Sequence, residues 1–175
     1  MLEQISEYLA NKKYEAAFNS IVTAYNQRLY WHIRRMVLDH DDTDDVLQNT
    51  FIKIWRGLPN FRQDSNIYTW LYRIATNEAL SFLRSKKEST SFDEVAYTVS
   101  KNLEADAFFD GDKAQAKLQE AIVTLPEKQR AVFNMRYFEE MSYAEMSAVF
   151  ETSEGALKAS YHHAVKKIES YLKGD

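Results

Sequence analysis

Apolar residues in this chain return every third or fourth position over long stretches, and little interrupts them. The 175 residues include only 4 Gly and 2 Pro, too few for the turns of a many-stranded sheet, whereas long helices need none. Ala16, Phe18, Ile21, Val22, Tyr25, Leu29, Ile33, Met36 and Val37 mark a first amphipathic stripe. Leu38-Asp39-His40-Asp41-Asp42 breaks it, and Leu47, Phe51, Ile54, Trp55 and Leu58 form a second stripe, closed by Gly57-Leu58-Pro59. Ser65 is placed to cap a third helix through Trp70, Leu71, Ile74 and Ala75 to about Lys87. The pattern predicts an all-α protein.

The other end of the chain is equally periodic. Thr124-Leu-Pro-Glu127 puts Pro126 at a helix start with Thr and Glu in capping-box spacing, and Ser142-Tyr-Ala-Glu145 repeats that spacing. After the short connector Phe150-Glu151-Thr152, Ser153 caps a helix through Leu157, Tyr161, Ala164, Val165, Ile168 and Leu172. A short helix, a brief turn and a longer helix predict a helix-turn-helix. Between the periodic ends, residues 88–117 are weakly periodic and acidic, with 3 Lys/Arg against 7 Asp/Glu. This predicts two small helical domains, 1–87 and 118–175, joined by a linker. The net charge of −4 divides as +2, −4 and −2 over the three segments, so the acidity sits mainly in the linker.

Several chemistries are excluded or unsupported. With no Cys there is no thiolate nucleophile, disulfide framework or iron–sulfur ligand set. No phosphate loop, Gly-rich dinucleotide turn or paired-His metalloprotease motif is present. His162 and His163 are adjacent and point about 100° apart on a helix, a poor chelating pair. The acids Asp39, Asp41, Asp42, Asp44 and Asp45 lack the Gly and terminal Glu of a calcium loop and suit a helix start. No catalytic residue, metal or cofactor is expected. The N-terminus lacks a signal-peptide pattern, and no apolar run reaches the ~20 residues of a membrane span, so a cytoplasmic protein without membrane insertion is expected.

Surfaces carry the stronger signals. Asp45, Gln48, Asn49 and Ile52 share a helix face set opposite Phe51 and Trp55; they read either as a docking face or as a solvated one. Phe61, Tyr72, Arg73, Asn77 and Arg84 bring rings, an amide and cations into one segment, as single-stranded nucleic-acid binding requires; packing into a core is the other reading. On the last helix Ser153, Lys158, Ser160, His162, His163 and Lys166 could reach phosphates and base edges in a major groove.

These residues resemble a known family, the extracytoplasmic-function (ECF) group of bacterial sigma-70 factors. Asp42-Thr-Asp-Asp-Val-Leu-Gln-Asn-Thr-Phe51 is similar to the family segment that docks on the clamp helices of RNA polymerase. Phe61-Arg-Gln-Asp-Ser-Asn-Ile-Tyr-Thr-Trp-Leu-Tyr-Arg-Ile-Ala-Thr-Asn77 is similar to the segment that melts and reads the minus-ten element. Leu125-Pro126 through Arg130, Met141-Ser-Tyr-Ala-Glu-Met146 and Ser153-Glu-Gly-Ala-Leu-Lys158 resemble the region that reads the minus-thirty-five element. The recognition helix departs from the family at Ala156-Leu157, Ser160 and the His162-His163 pair.

The resemblance implies a non-enzymatic initiation factor, monomeric when free, that partners core RNA polymerase, promoter DNA and an anti-sigma factor. It assigns Asp45, Gln48, Asn49 and Ile52 to the polymerase. Phe61, Tyr72, Arg73, Asn77 and Arg84 go to the minus-ten DNA. Ser153, Lys158, Ser160, His162, His163 and Lys166 go to the minus-thirty-five DNA. The linker acids would lie in the polymerase channel as a nucleic-acid mimic. Two other readings stay open from the residues alone: a conventional helix-turn-helix regulator, and a helical interaction module that touches no DNA.

Overall fold

In the computed structural model the long apolar stripe of the N-terminal half becomes the spine of a helical bundle. Residues 1–89 and 113–174 are described; the centre of the acidic linker lies outside them. The described residues form eight α-helices and one 3₁₀ turn, with no strand, as the all-α expectation requires. They are α1 (Leu2–Ala10), α2 (Tyr14–Val37), α3 (His40–Gly57), the 3₁₀ turn Leu58–Asn60, α4 (Ile67–Ser89), α5 (Lys113–Val123), α6 (Glu127–Tyr137), α7 (Tyr143–Phe150) and α8 (Glu154–Lys173). Two compact units, Met1–Ala79 and Leu80–Asp175, divide the chain. The division falls within α4, and helix occupies both ends of the expected 88–117 linker.

In the first unit α2 buries Ala17, Ile21, Tyr25, Leu29, Ile33 and Met36. Each large aliphatic so removed from water contributes roughly 1.5–3 kcal/mol. Helix α1, an addition to the expected elements, lies on α2 through Ile5 and Leu9. Leu38, left-handed at φ 71°, ends α2, and the Arg34 guanidinium donates to its carbonyl. Asp39 then caps α3, accepting from the Asp42 N–H at 3.0 Å.

Helix α3 packs on α2 through Thr43, Val46, Thr50 and Ile54. The Thr43 and Thr50 hydroxyls donate to the carbonyls of Asp39 (2.6 Å) and Val46 (2.7 Å), so neither is buried unpaired. Helix α4 turns Leu71, Tyr72, Ala75, Thr76 and Ala79 inward. It is tied to α2 by His32 Nε2 and Thr76 Oγ1, 2.9 Å apart, and to α3 by the Lys53–Glu78 ion pair. Its cap differs from expectation. Asn66 accepts from the Tyr68 N–H at 2.9 Å, while the Ser65 hydroxyl donates back to the Arg62 carbonyl in the preceding turn.

The second unit is organised by α8, which packs on α5, α6 and α7. Its Ala164 and Ile168 join Ala121, Ile122, Leu125 and Phe133 in one core. The Ser142–Glu145 capping box forms in full, with Glu145 N–H to Ser142 Oγ at 3.1 Å and Ser142 N–H to Glu145 Oε2 at 2.8 Å. The Thr124–Glu127 box does not form. Pro126 occupies the N-cap of α6, and the Thr124 hydroxyl donates instead to the Ala121 carbonyl at 2.6 Å. Glu151, left-handed at φ 53°, ends α7. Ser153 starts α8 by accepting from the Ala156 N–H at 3.2 Å, completing the expected helix-turn-helix.

Candidate partner and nucleic-acid interfaces

Because α3 packs through its threonine-bearing face, the remaining faces point outward. Asp45, Gln48 and Asn49 are exposed, and Ile52 is 40% exposed. Trp55, expected opposite them in the core, is instead 45% exposed. It lies with Phe18 of α2 (ring centroids 5.4 Å apart) and beside Phe51, whose ring is 6.1 Å from Phe18. Together with Gln48, Ile52 and Arg56 these rings line an open cleft of about 630 Å³. The four expected docking residues thus sit beside an aromatic cleft that the periodicity had assigned to the interior.

On α4, Trp70, Arg73, Asn77 and Arg84 recur at three-, four- and seven-residue steps along one face, away from the buried Leu71, Tyr72 and Ala75. Asn77 and Arg84 are exposed; Arg73 and Phe61 are half-buried. Phe61 is held against Trp70 with ring centroids 4.9 Å apart, which fixes the end of the loop before α4. Tyr72 is a correction to the expected set. It is fully buried, 5.0 Å from the His32 ring and 4.7 Å from Tyr68, so its ring has no face to offer a base.

Gly57 supports this stripe from beneath. Its φ of −85° is ordinary helix, so no left-handed conformation requires glycine there. A Cβ at Gly57, however, would sit 2.9 Å from Trp70 Cζ2, inside van der Waals contact with a rigid ring. Gly57→Ala is therefore expected to push Trp70 and Phe61 out of place and to destabilise the first unit by about 1–3 kcal/mol. A thermal melt beside wild type checks this; an unchanged midpoint would show that the ring yields freely.

In the second unit, α8 buries Leu157, Ala164 and Ile168 and leaves Ser153, Lys158, His162, His163 and Lys166 exposed, with Ser160 half-buried. The imidazoles of His162 and His163 are 6.2 Å apart and tilted by 55°, on the outward side of the helix. Arg130 belongs to the fold and not to this surface: it is buried, and that burial lowers its pKa, with the Glu127 charge acting in the opposite direction. No cluster of three metal-ligating side chains occurs among the described residues. Nor is any helix there long and apolar enough to cross a membrane.

A helical bundle with an outward stripe of rings, an amide and cations, followed by a helix-turn-helix, makes this an all-helical protein of two units. Residues 21–89 match the Sigma-70 region 2 family, and residues 115–168 match Sigma-70, region 4. The chain is 32% identical to the RNA polymerase sigma-H factor of Pseudomonas aeruginosa, with 89% of this chain and 86% of that protein covered. It is 29% identical to the ECF RNA polymerase sigma factor SigW of Bacillus subtilis, with 90% and 89% covered. Among solved structures it shares the fold of CnrH, determined in complex with the cytosolic domain of CnrY (TM-score 0.69, 24% identity, 95% of this chain and 96% of that one). It also shares that of the sigma factor RpoE from Bartonella quintana, determined with the anti-sigma factor NepR (TM-score 0.68, 20% identity, 90% and 98%). The chain belongs to the ECF branch of the sigma-70 family of RNA polymerase sigma factors.

Proposed function

We propose that this sigma factor grips core RNA polymerase with the outer edge of α3, holds the melted minus-ten strand along α4, and reads minus-thirty-five duplex with α8. The observation that carries the first assignment is the α3 surface itself. Asp45, Gln48 and Asn49 stand exposed beside an aromatic cleft that includes Ile52 and Trp55. A polar rim around an apolar centre suits a protein partner. On α4, Phe61, Arg73, Asn77 and Arg84 supply a ring, an amide and two cations for an unstacked strand; Tyr72 acts only through packing. On α8, Ser153, Lys158, Ser160, His162, His163 and Lys166 take the duplex. Ser160, His162 and His163 set a promoter preference of its own.

The work of this chain is binding: strand melting is driven by contacts, and the polymerase carries out nucleotide chemistry. A chain of net charge −4 can still serve DNA because the polymerase supplies most phosphate contacts. The protein acts in the cytoplasm, as a monomer until it meets polymerase. The two structural relatives solved with bound partners, one an anti-sigma factor by name, support control by an anti-sigma factor here.

Co-elution with bacterial core RNA polymerase on size exclusion tests the reading. Wild type is expected to shift into the polymerase peak, and Asp45→Arg/Gln48→Ala to remain behind. If neither protein shifts while free wild type binds duplex DNA, the polymerase assignment is wrong and a conventional helix-turn-helix regulator takes its place.

A further inference from the structure

Two cations from different helices of the second unit converge on one aromatic ring. Tyr143, the first residue of α7, is half-buried. The Arg136 guanidinium carbon of α6 lies 5.0 Å from its ring centroid, and Lys158 Nζ of α8 lies 5.5 Å from it. Both distances fall within cation–π range. The backbone at Tyr143 is itself fixed, because the Ser142–Glu145 capping box closes immediately around it. Arg136 is further held by an N–H donated to the Met141 carbonyl at 2.9 Å. The ring therefore holds a flexible lysine beside an anchored arginine, at the junction where both helices of the helix-turn-helix begin.

We propose that Tyr143 is a positioning residue for duplex binding: its ring face holds Lys158 and Arg136 together, so that one tract of DNA phosphates meets both. Two like charges drawn to one site repel each other, and the anionic backbone of a duplex offsets that repulsion. A lysine free in water loses side-chain freedom when it engages a phosphate. One already resting on a ring loses less, so the benefit appears as tighter duplex binding. The inference rests on the duplex reading of α8 given above.

The test uses the full chain assembled with core polymerase and a promoter fragment carrying the minus-thirty-five element, titrated over a range of salt. Tyr143→Leu removes the ring face and is expected to weaken binding on the order of fivefold. It should also flatten the dependence of log K on log salt by about one phosphate contact. Tyr143→Phe keeps the ring face and is expected to bind as wild type does, which excludes the hydroxyl as the group that matters. Lys158→Ala should weaken binding similarly, and the double variant Tyr143→Leu/Lys158→Ala should lose less than the product of the two. Equal losses for Tyr143→Leu and Tyr143→Phe, or strictly multiplicative losses in the double variant, would overturn the positioning role. Unchanged binding by both Lys158→Ala and Arg136→Ala would instead overturn the duplex reading of α8, and the positioning role with it. A circular-dichroism melt of Tyr143→Leu separates a folding defect from lost binding, and Arg136→Ala tests the same cluster without touching the ring.

Discussion

Replacing Tyr72 with alanine is expected to destabilise the first unit by about 3–5 kcal/mol, a large fraction of the stability of any small domain. The side chain is 0% exposed. Its ring is packed between those of His32 on α2 and Tyr68 one turn back on α4, so truncation opens a cavity at the α2–α4 contact. Tyr72→Phe keeps the ring and should lose far less. Asn77→Ala, at an exposed position five residues further along α4, should leave stability within about 0.5 kcal/mol of wild type while, on the proposed reading, weakening capture of the melted minus-ten strand. Urea denaturation followed by circular dichroism, beside permanganate footprinting of the open complex, separates the two. A stable Tyr72→Ala that fails only at strand opening would return Tyr72 to the DNA surface.

The second large effect is acid lability of the same unit. His32 is 1% exposed, its Nε2 is engaged with Thr76, and its Nδ1 has no hydrogen-bond partner among the described residues. Burial pushes its pKa down to about 3, and the nearby Arg35 charge acts in the same direction. In the unfolded chain the imidazole titrates near 6.5. Between those two values the unfolded state binds a proton that the folded state refuses. Stability from this group is therefore full above about pH 6.5 and falls by about 1.4 kcal/mol per pH unit as the pH drops toward 3. His32→Gln, which cannot titrate, should be less stable than wild type at pH 7.5 yet lose less between pH 6.5 and 4.5. Parallel urea midpoints for the two proteins across that window would show that His32 is protonated without penalty.

The helix-turn-helix was the most legible part of the sequence because its signals are local. Ser142 with Glu145, and Ser153 before a helix, specify hydrogen bonds three residues away, and neighbours elsewhere in the fold need not be known. Thr124 and Ser65 carried the same kind of signal and did not cap. A neighbour, Pro126 in one case and Asn66 in the other, occupied the capping position.

Which segments carry the candidate surfaces was legible, but which of their residues face outward was not. Periodicity sets Trp55 inside with Phe51, yet Thr43 and Thr50 are fully buried while Trp55 is 45% exposed. Each threonine satisfies its hydroxyl on its own helix and can then pack as a small branched side chain, which hydropathy does not register. Tyr72 shows the same limitation: spacing puts Trp70 and Tyr72 on different faces of α4, and only the packing against α2 decides which face turns inward. Gly57 reads as a helix stop, whereas its importance is the space it leaves for a ring distant in sequence. The Arg136–Tyr143–Lys158 cluster draws on three helices, so no local pattern announces it.

Helix α8 divides its labour by face. Leu157, Ala164 and Ile168 hold the unit together, while Lys158, His162, His163 and Lys166 stand clear of that core. Substitutions at the outward positions consequently leave the scaffold almost untouched, and mutations on the two faces combine nearly independently. On the proposed duplex reading of α8, a change of promoter preference at these positions would not have to pass through an unfolded intermediate. A library that randomises only those outward positions would vary the exposed face of α8 at nearly constant stability.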